Sequence, residues 1–141
     1  MAYAQPHMRR GPRSVQAYAD IGLETQVSSA SPQQLITLLF DGAQAAISKA
    51  RLYIQNNDIK GRGQAISKAI EIVDAGLKAS VDVETGGKLA VNLIATYDLA
   101  IRQLLRANLN ADLDCLATAE RLLGDIGGAW RSITETERKQ V

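Results

Sequence analysis

Ala30-Ser31-Pro32-Gln33-Gln34-Leu35-Ile36-Thr37-Leu38-Leu39-Phe40-Asp41-Gly42-Ala43 opens the first long helix and decides the fold class. Three helix-start signals coincide in it. The Ser31 hydroxyl can accept orphan backbone N–H groups of the first turn. Pro32 follows at the first helical position, where a missing donor costs little. Gln34, three residues after the cap, can reach back and complete a capping box. Leu35, Ile36, Leu38, Leu39 and Phe40 then place apolar side chains on more than one side of the helix. One core buries one stripe, so the surplus either thickens that core or meets a partner.

Working outward, the seam Ile36, Phe40, Ala43, Ile47, Ala50, Ile54 alternates steps of four and three, the pattern of a bundle helix over Pro32 to Gln55. Asn56-Asn57 stops it, because Asn tolerates the left-handed conformation that ends helices. Asp58 caps a second helix over about 59–80, with seam Ile59, Ile66, Ile70, Val73, Leu77. Gly61 and Gly63 near its start imply fraying or close backbone approach, at about 1 kcal/mol each against Ala. Thr85 and Gly86-Gly87 punctuate the next turn, and a third helix over about 87–108 carries Ala90, Ile94, Tyr97, Ile101 and Leu104. Asn108 to Asn110 ends it. A fourth, over about 111–136, carries Leu116, Ala119, Leu123, Ile126, Trp130 and Ile133.

Four long helices with short connections predict an all-α, antiparallel, up-down-up-down four-helix bundle. Ser14 to Ala19 add a short extra N-terminal helix, with Val15 and Tyr18 on one side, ended by Gly22. So short an amphipathic piece holds its helix only by docking. Residues 1–13, with Pro6, Gly11, Pro12 and the trio Arg9, Arg10, Arg13, read as a mobile tail with solvated charges. The domain then spans 14–136, with 14–30 as a cover segment and 137–141 as a frayed tail.

The 141 residues make one domain by length and can bury a core without disulfide or metal staples. A net charge of +1 gives no global field for nucleic acid. The single cysteine, Cys115, cannot close an internal disulfide and fits a reducing cytosol. No apolar run approaches the roughly 20 residues that insert across a bilayer.

Constellations for catalysis are nearly absent. The one histidine, His7, lies in the tail, no helix offers a Glu-x-x-His pair for a di-iron site, and no Cys/His set suits zinc. Cys115 without a histidine partner reads as a small packed thiol rather than a nucleophile. Gly86-Gly87-Lys88 reads as an interhelix turn. Asp82 and Glu84 suit the positive end of the third helix. Asp41 and Asp98, each following an aromatic, are either exposed carboxylates or polar contacts beside a packed ring. No enzyme activity, metal or cofactor is expected.

What remains is apolar surplus: Leu35, Leu38 and Leu39 beside the first seam, and Leu89, Leu93 and Ala100 beside the third. Left bare, such a patch would aggregate. The piece around Val15 and Tyr18 is a natural cover, and a covered groove suits a partner helix.

At these residues the chain resembles the FliS family of flagellin-binding flagellar export chaperones. The resemblance rests on Val15-Gln16-Ala17-Tyr18, Ala30-Ser31-Pro32, Leu35-Ile36, Leu39-Phe40-Asp41-Gly42-Ala43, Val81-Asp82-Val83-Glu84-Thr85-Gly86-Gly87, Ala90-Val91-Asn92-Leu93, Tyr97-Asp98, Ala107-Asn108 and Ala129-Trp130. Phe40 stands where the pattern has Tyr, Val81 where it has Leu, and the residues before Ser14 fall outside it. The resemblance implies a cytosolic bundle that holds the disordered C-terminal helical segment of flagellin, blocks premature polymerisation and aids export, with export-gate components as further partners. It also implies that Val15 and Tyr18 shift when the client arrives. Leu35, Leu39, Leu93, Tyr97 and Ala100 are then expected to line the binding surface. The competing expectation is a structural bundle that self-associates through the same surface.

Overall fold

Ser31 does what its spacing demands. Its hydroxyl accepts from Gln34 N, while Gln34 Oε1 accepts from Ser31 N at 2.7 Å, and helix α1 (Pro32–Gln55) starts from this closed box. The computed structural model describes residues 30–139, which form four helices packed together. The expected tail over 1–13 and the short helix and cover around Val15 and Tyr18 lie outside these residues. Asn57 ends α1 in the left-handed region at φ 57°. Asp58 then accepts from Gly61 N at 2.8 Å and caps α2 (Ile59–Ser80).

α2 is not uniform. An α-helical part, Ile59–Glu71, passes into a π-helical stretch, Ile72–Leu77, and closes with a 3₁₀ turn, Lys78–Ser80. Bonds from i to i+5 widen the turn and re-aim the side chains that follow. Here the widened stretch keeps Ile72, Val73, Gly76 and Leu77 all buried.

Helix α3 (Val83–Asn110) starts about a turn earlier than the glycine pair suggested. Asp82, rather than Thr85, is its cap, and its carboxylate accepts from Glu84 N and Thr85 N. Gly87 interrupts the helix with φ 55°, ψ −130°, a conformation essentially confined to glycine, and the axis kinks there. The far end also runs on past Asn108. Ala111 takes the left-handed position at φ 52°, and Asp112 then caps α4 (Leu113–Lys139) by accepting from Asp114 N and Cys115 N.

Contacts running in opposite senses along each pair set the packing. On α1 and α4, Thr37 meets Trp130, Gln44 meets the Glu120 carbonyl and Arg51 meets the Glu120 carboxylate. On α2 and α3, Arg62 meets Asn108 and Lys78 meets Asp98. α1 packs on α2 and α4, and α3 completes the ring between them. The core holds Leu39, Phe40, Ile47, Ile66, Ile72, Leu77, Leu104, Leu116 and Leu123, with no buried polar or charged residue among those described. Small residues set the closeness of the α1/α2 contact. A Cβ on Gly61 would lie 2.4–2.7 Å from three ring atoms of Tyr53, Cγ included, so the whole ring would have to move. Gly61→Ala is therefore expected to cost about 1–2 kcal/mol, because overpacking of about 1–3 kcal/mol outweighs the gain in helix propensity. Urea denaturation measures it, and a stabilised variant would mean that Tyr53 is free to leave.

Candidate functional site

One end of the bundle gathers the start of α1, the last turns of α2, the start of α3 and the end of α4. Gln33 Nε2 donates to Glu137 Oε2 at 2.9 Å, Trp130 Nε1 donates to Thr37 Oγ1 at 3.2 Å, and Arg131 pairs with Asp41. These contacts clamp α1 to α4 there. Residue 30, the first described, leads into α1 at this end.

Of the seven residues expected to bind a partner, Val15 and Tyr18 lie outside the described residues. Leu39 and Ala100 are fully buried, and Tyr97 is 3% exposed. These three present no outer surface in the structure. The reason is geometric. Leu39 points at Gly76 of the π-helical stretch, where a Cβ would sit 2.8 Å from Leu39 Cδ2, so the missing side chain makes its pocket. Tyr97 faces Phe40 across the core at 6.5 Å between ring centroids and an interplanar angle of 41°. Leu35 and Leu93 do reach the surface, each half-buried, with Leu38 similarly placed on α1.

The larger display is elsewhere at this end. Leu89 is 74% exposed and Ile133 is 55% exposed. Counting back along α3 and forward along α4 from the Ala111 turn brings Leu93 level with Trp130 and Leu89 level with Ile133, at equal rise per residue. Leu89, Leu93, Ile126 and Ile133 thus mark an apolar strip on the α3/α4 seam. Ile133 was read from sequence as a core position. It is not one in the structure, where its side chain lies on the outer α3-facing side of α4 and is mostly in water. The kink at Gly87 adds a shallow hollow lined by Val83, Lys88, Val91 and Asn92.

Charged groups here brace the helices. Lys78 Nζ lies 2.7 Å from Asp98 Oδ1 and 3.9 Å from Asp74 Oδ1, and the Asp98 hydrogen bond raises the lysine above its ordinary value. Asp41 and Asp98 are therefore partners in ion pairs beside packed rings. Cys115 is half-buried. Partial desolvation, then its contact with Asp112, raises its thiol pKa, so it stays protonated and unreactive at neutral pH.

Burial raises the Tyr97 hydroxyl above its ordinary value of 10.0. A raised folded-state value means that the neutral phenol contributes stability at pH below 10, and the contribution is lost as pH climbs beyond it. Tyr97→Phe is thus expected to flatten the alkaline loss of stability above about pH 10. Urea midpoints between pH 8 and 11 check this, and identical alkaline slopes in the two proteins would contradict a sealed phenol.

What the described residues offer a partner is apolar contact on a braced helical frame, the mark of a helical binding protein. The chain matches the family described as Flagellar protein FliS over residues 14–137. It is 48% identical over 120 residues to the flagellar secretion chaperone FliS of Salmonella typhimurium, covering 85% of this chain and 89% of that protein. It is 45% identical over 119 residues to the Escherichia coli flagellar secretion chaperone FliS, covering 84% and 88%. Identity falls to 28% over 116 residues with the Bacillus subtilis flagellar secretion chaperone FliS, covering 82% and 85%. The chain belongs to the FliS family of flagellar secretion chaperones, whose role is binding rather than catalysis. No helix among the described residues is long and apolar enough to cross a membrane.

Proposed function

We propose that the chain works in the cytoplasm, where it holds the disordered C-terminal helical segment of flagellin, keeps it from polymerising and passes it to export-gate components. The observation that carries this reading is the apolar strip at one end of the bundle, with Leu89 74% exposed and Ile133 55% exposed beside half-buried Leu93 and Ile126. A disordered segment that folds on binding loses ordering entropy, and a long apolar surface is what offsets it. Leu35 and Leu93 touch the client in this reading. Leu39, Tyr97 and Ala100 support that surface from beneath. Ser14 to Ala19 form a short extra helix within the 14–30 cover segment of the up-down-up-down bundle, and Val15 and Tyr18 cover the strip until the client displaces them. The entry of the described chain into α1 at this end, from residue 30, supports that arrangement.

Sedimentation with and without a flagellin C-terminal peptide tests the proposal. A free monomer that becomes a one-to-one complex is the expected outcome. A tight homodimer that ignores the peptide would replace the client with a second copy.

A further inference from the structure

The opposite end of the bundle also displays apolar side chains, and the residues proposed for the client do not reach it. Leu109 is 81% exposed, Ile59 is 70% and Leu105 is 53%. The bond from Arg62 Nε to Asn108 Oδ1 at 3.3 Å ties the start of α2 to the end of α3, so Ile59 stands level with the last turn of α3. Ile101, Leu105 and Leu109 recur every four residues and run outward along α3, half-buried at first and almost bare at the end. On α2, Gly63 lies between Ile59 and Ile70, and a Cβ there would meet nothing within 4 Å. The α2 side of the seam is therefore open at Gly63.

The exposed charges along the seam are basic. Lys60, Arg102 and Arg106 each follow an apolar residue of the strip by one position, about 100° round the helix. All three are exposed, and none forms an ion pair among the described residues. Of the nearby carboxylates, Asp58 caps α2, Asp112 caps α4 and Asp98 pairs with Lys78, while Asp114 stands exposed on α4 rather than on this seam. A second copy would bring the same basic rim. The first 13 residues of the chain bring Arg9, Arg10 and Arg13. Neither complements the strip.

We infer that the α2/α3 seam at this end is a second docking surface, shaped for an amphipathic helix of another protein with an apolar stripe and carboxylates on its flanks. It lies at the far end of the bundle from the proposed client strip, so a loaded chaperone keeps it free. Such a surface lets a second protein hold the chaperone without competing for cargo.

The test uses the full chain and a synthetic helix of about 18 residues with a leucine stripe and glutamate flanks, beside a twin with lysine flanks. Titration followed by fluorescence anisotropy is expected to show binding of the glutamate peptide only, weakening as salt rises. Leu109→Asp and Arg102→Glu, both at exposed positions, are each expected to weaken it about tenfold or more while leaving melting and flagellin-peptide affinity unchanged. Saturating flagellin peptide should not displace the probe. The inference is overturned by no binding at about 100 µM, by equal binding of the two peptides, or by displacement, which would make the seam part of the client site. Concentration-dependent dimerisation abolished by Leu109→Asp would also overturn it in favour of a second copy. Because flagellin-peptide affinity is measured separately, failure here leaves the client reading standing.

Discussion

Phe40→Ala is expected to lower the unfolding free energy by about 3–5 kcal/mol, the largest effect of any single truncation in this bundle. The ring is 2% exposed. On one side it meets Tyr97 at 6.5 Å, and on another it lies against α4 where a Cβ on Gly127 would be only 3.2 Å away. Glycine has no side chain to lean into the space a lost ring would leave, so the site cannot collapse and the cavity term stays. Against a total of roughly 5–15 kcal/mol for an ordinary domain, that is a large share. A fall in melting temperature of about 10 °C or more follows for a chain of this size. Urea denaturation at constant m-value measures the loss. A cost under about 1 kcal/mol would mean that Phe40 does not join α1, α3 and α4 in one core.

The second large effect concerns binding. Leu89→Asp combined with Leu93→Asp is expected to weaken affinity for a flagellin C-terminal peptide by about a hundredfold or more, since each buried leucine contact contributes about 1.5–3 kcal/mol. Leu89→Asp alone should leave stability within about 0.5 kcal/mol, because its side chain is already in water. Leu93 is half-buried and packs against the core, so its aspartate variant must be melted beside the binding assay. Separate single variants resolve the ambiguity: lost affinity in Leu89→Asp with an unchanged melt is a surface effect. Unchanged affinity in Leu89→Asp would move the client off the α3/α4 seam.

Much of this was legible from local chemistry. Ser31, Pro32 and Gln34 mark the start of α1, and Asn56-Asn57 its end, because caps and left-handed positions depend on a few adjacent residues. The start of α3 was harder to read. Asp82 and Thr85 can both cap, and the glycine pair looked like the turn itself, yet Gly87 bends a helix that has already begun. Which apolar residues face outward was least legible. Leu35 and Leu39 flank the same seam one turn apart, and only the neighbour decides between them. Leu39 finds the gap at Gly76, opened by a π-helical stretch that no periodicity announces, while Leu35 sits in the first turn with less around it. Ala100 reads as part of the surplus beside the third seam, but it is fully buried. Tertiary packing buries Leu39 and Ala100 and leaves Leu89 and Ile133 exposed.

The most direct test of the account is circular dichroism of a flagellin C-terminal peptide titrated with the full chain, run in parallel with the Leu89→Asp, Leu93→Asp variant. The account predicts a gain in helix beyond the sum of the separate spectra, saturating at one peptide per chain in the micromolar range (about −8 kcal/mol) or tighter, and largely lost in the variant. Spectra that simply add, or a gain that the variant reproduces in full, would contradict the claim that this end of the bundle exists to fold a guest helix.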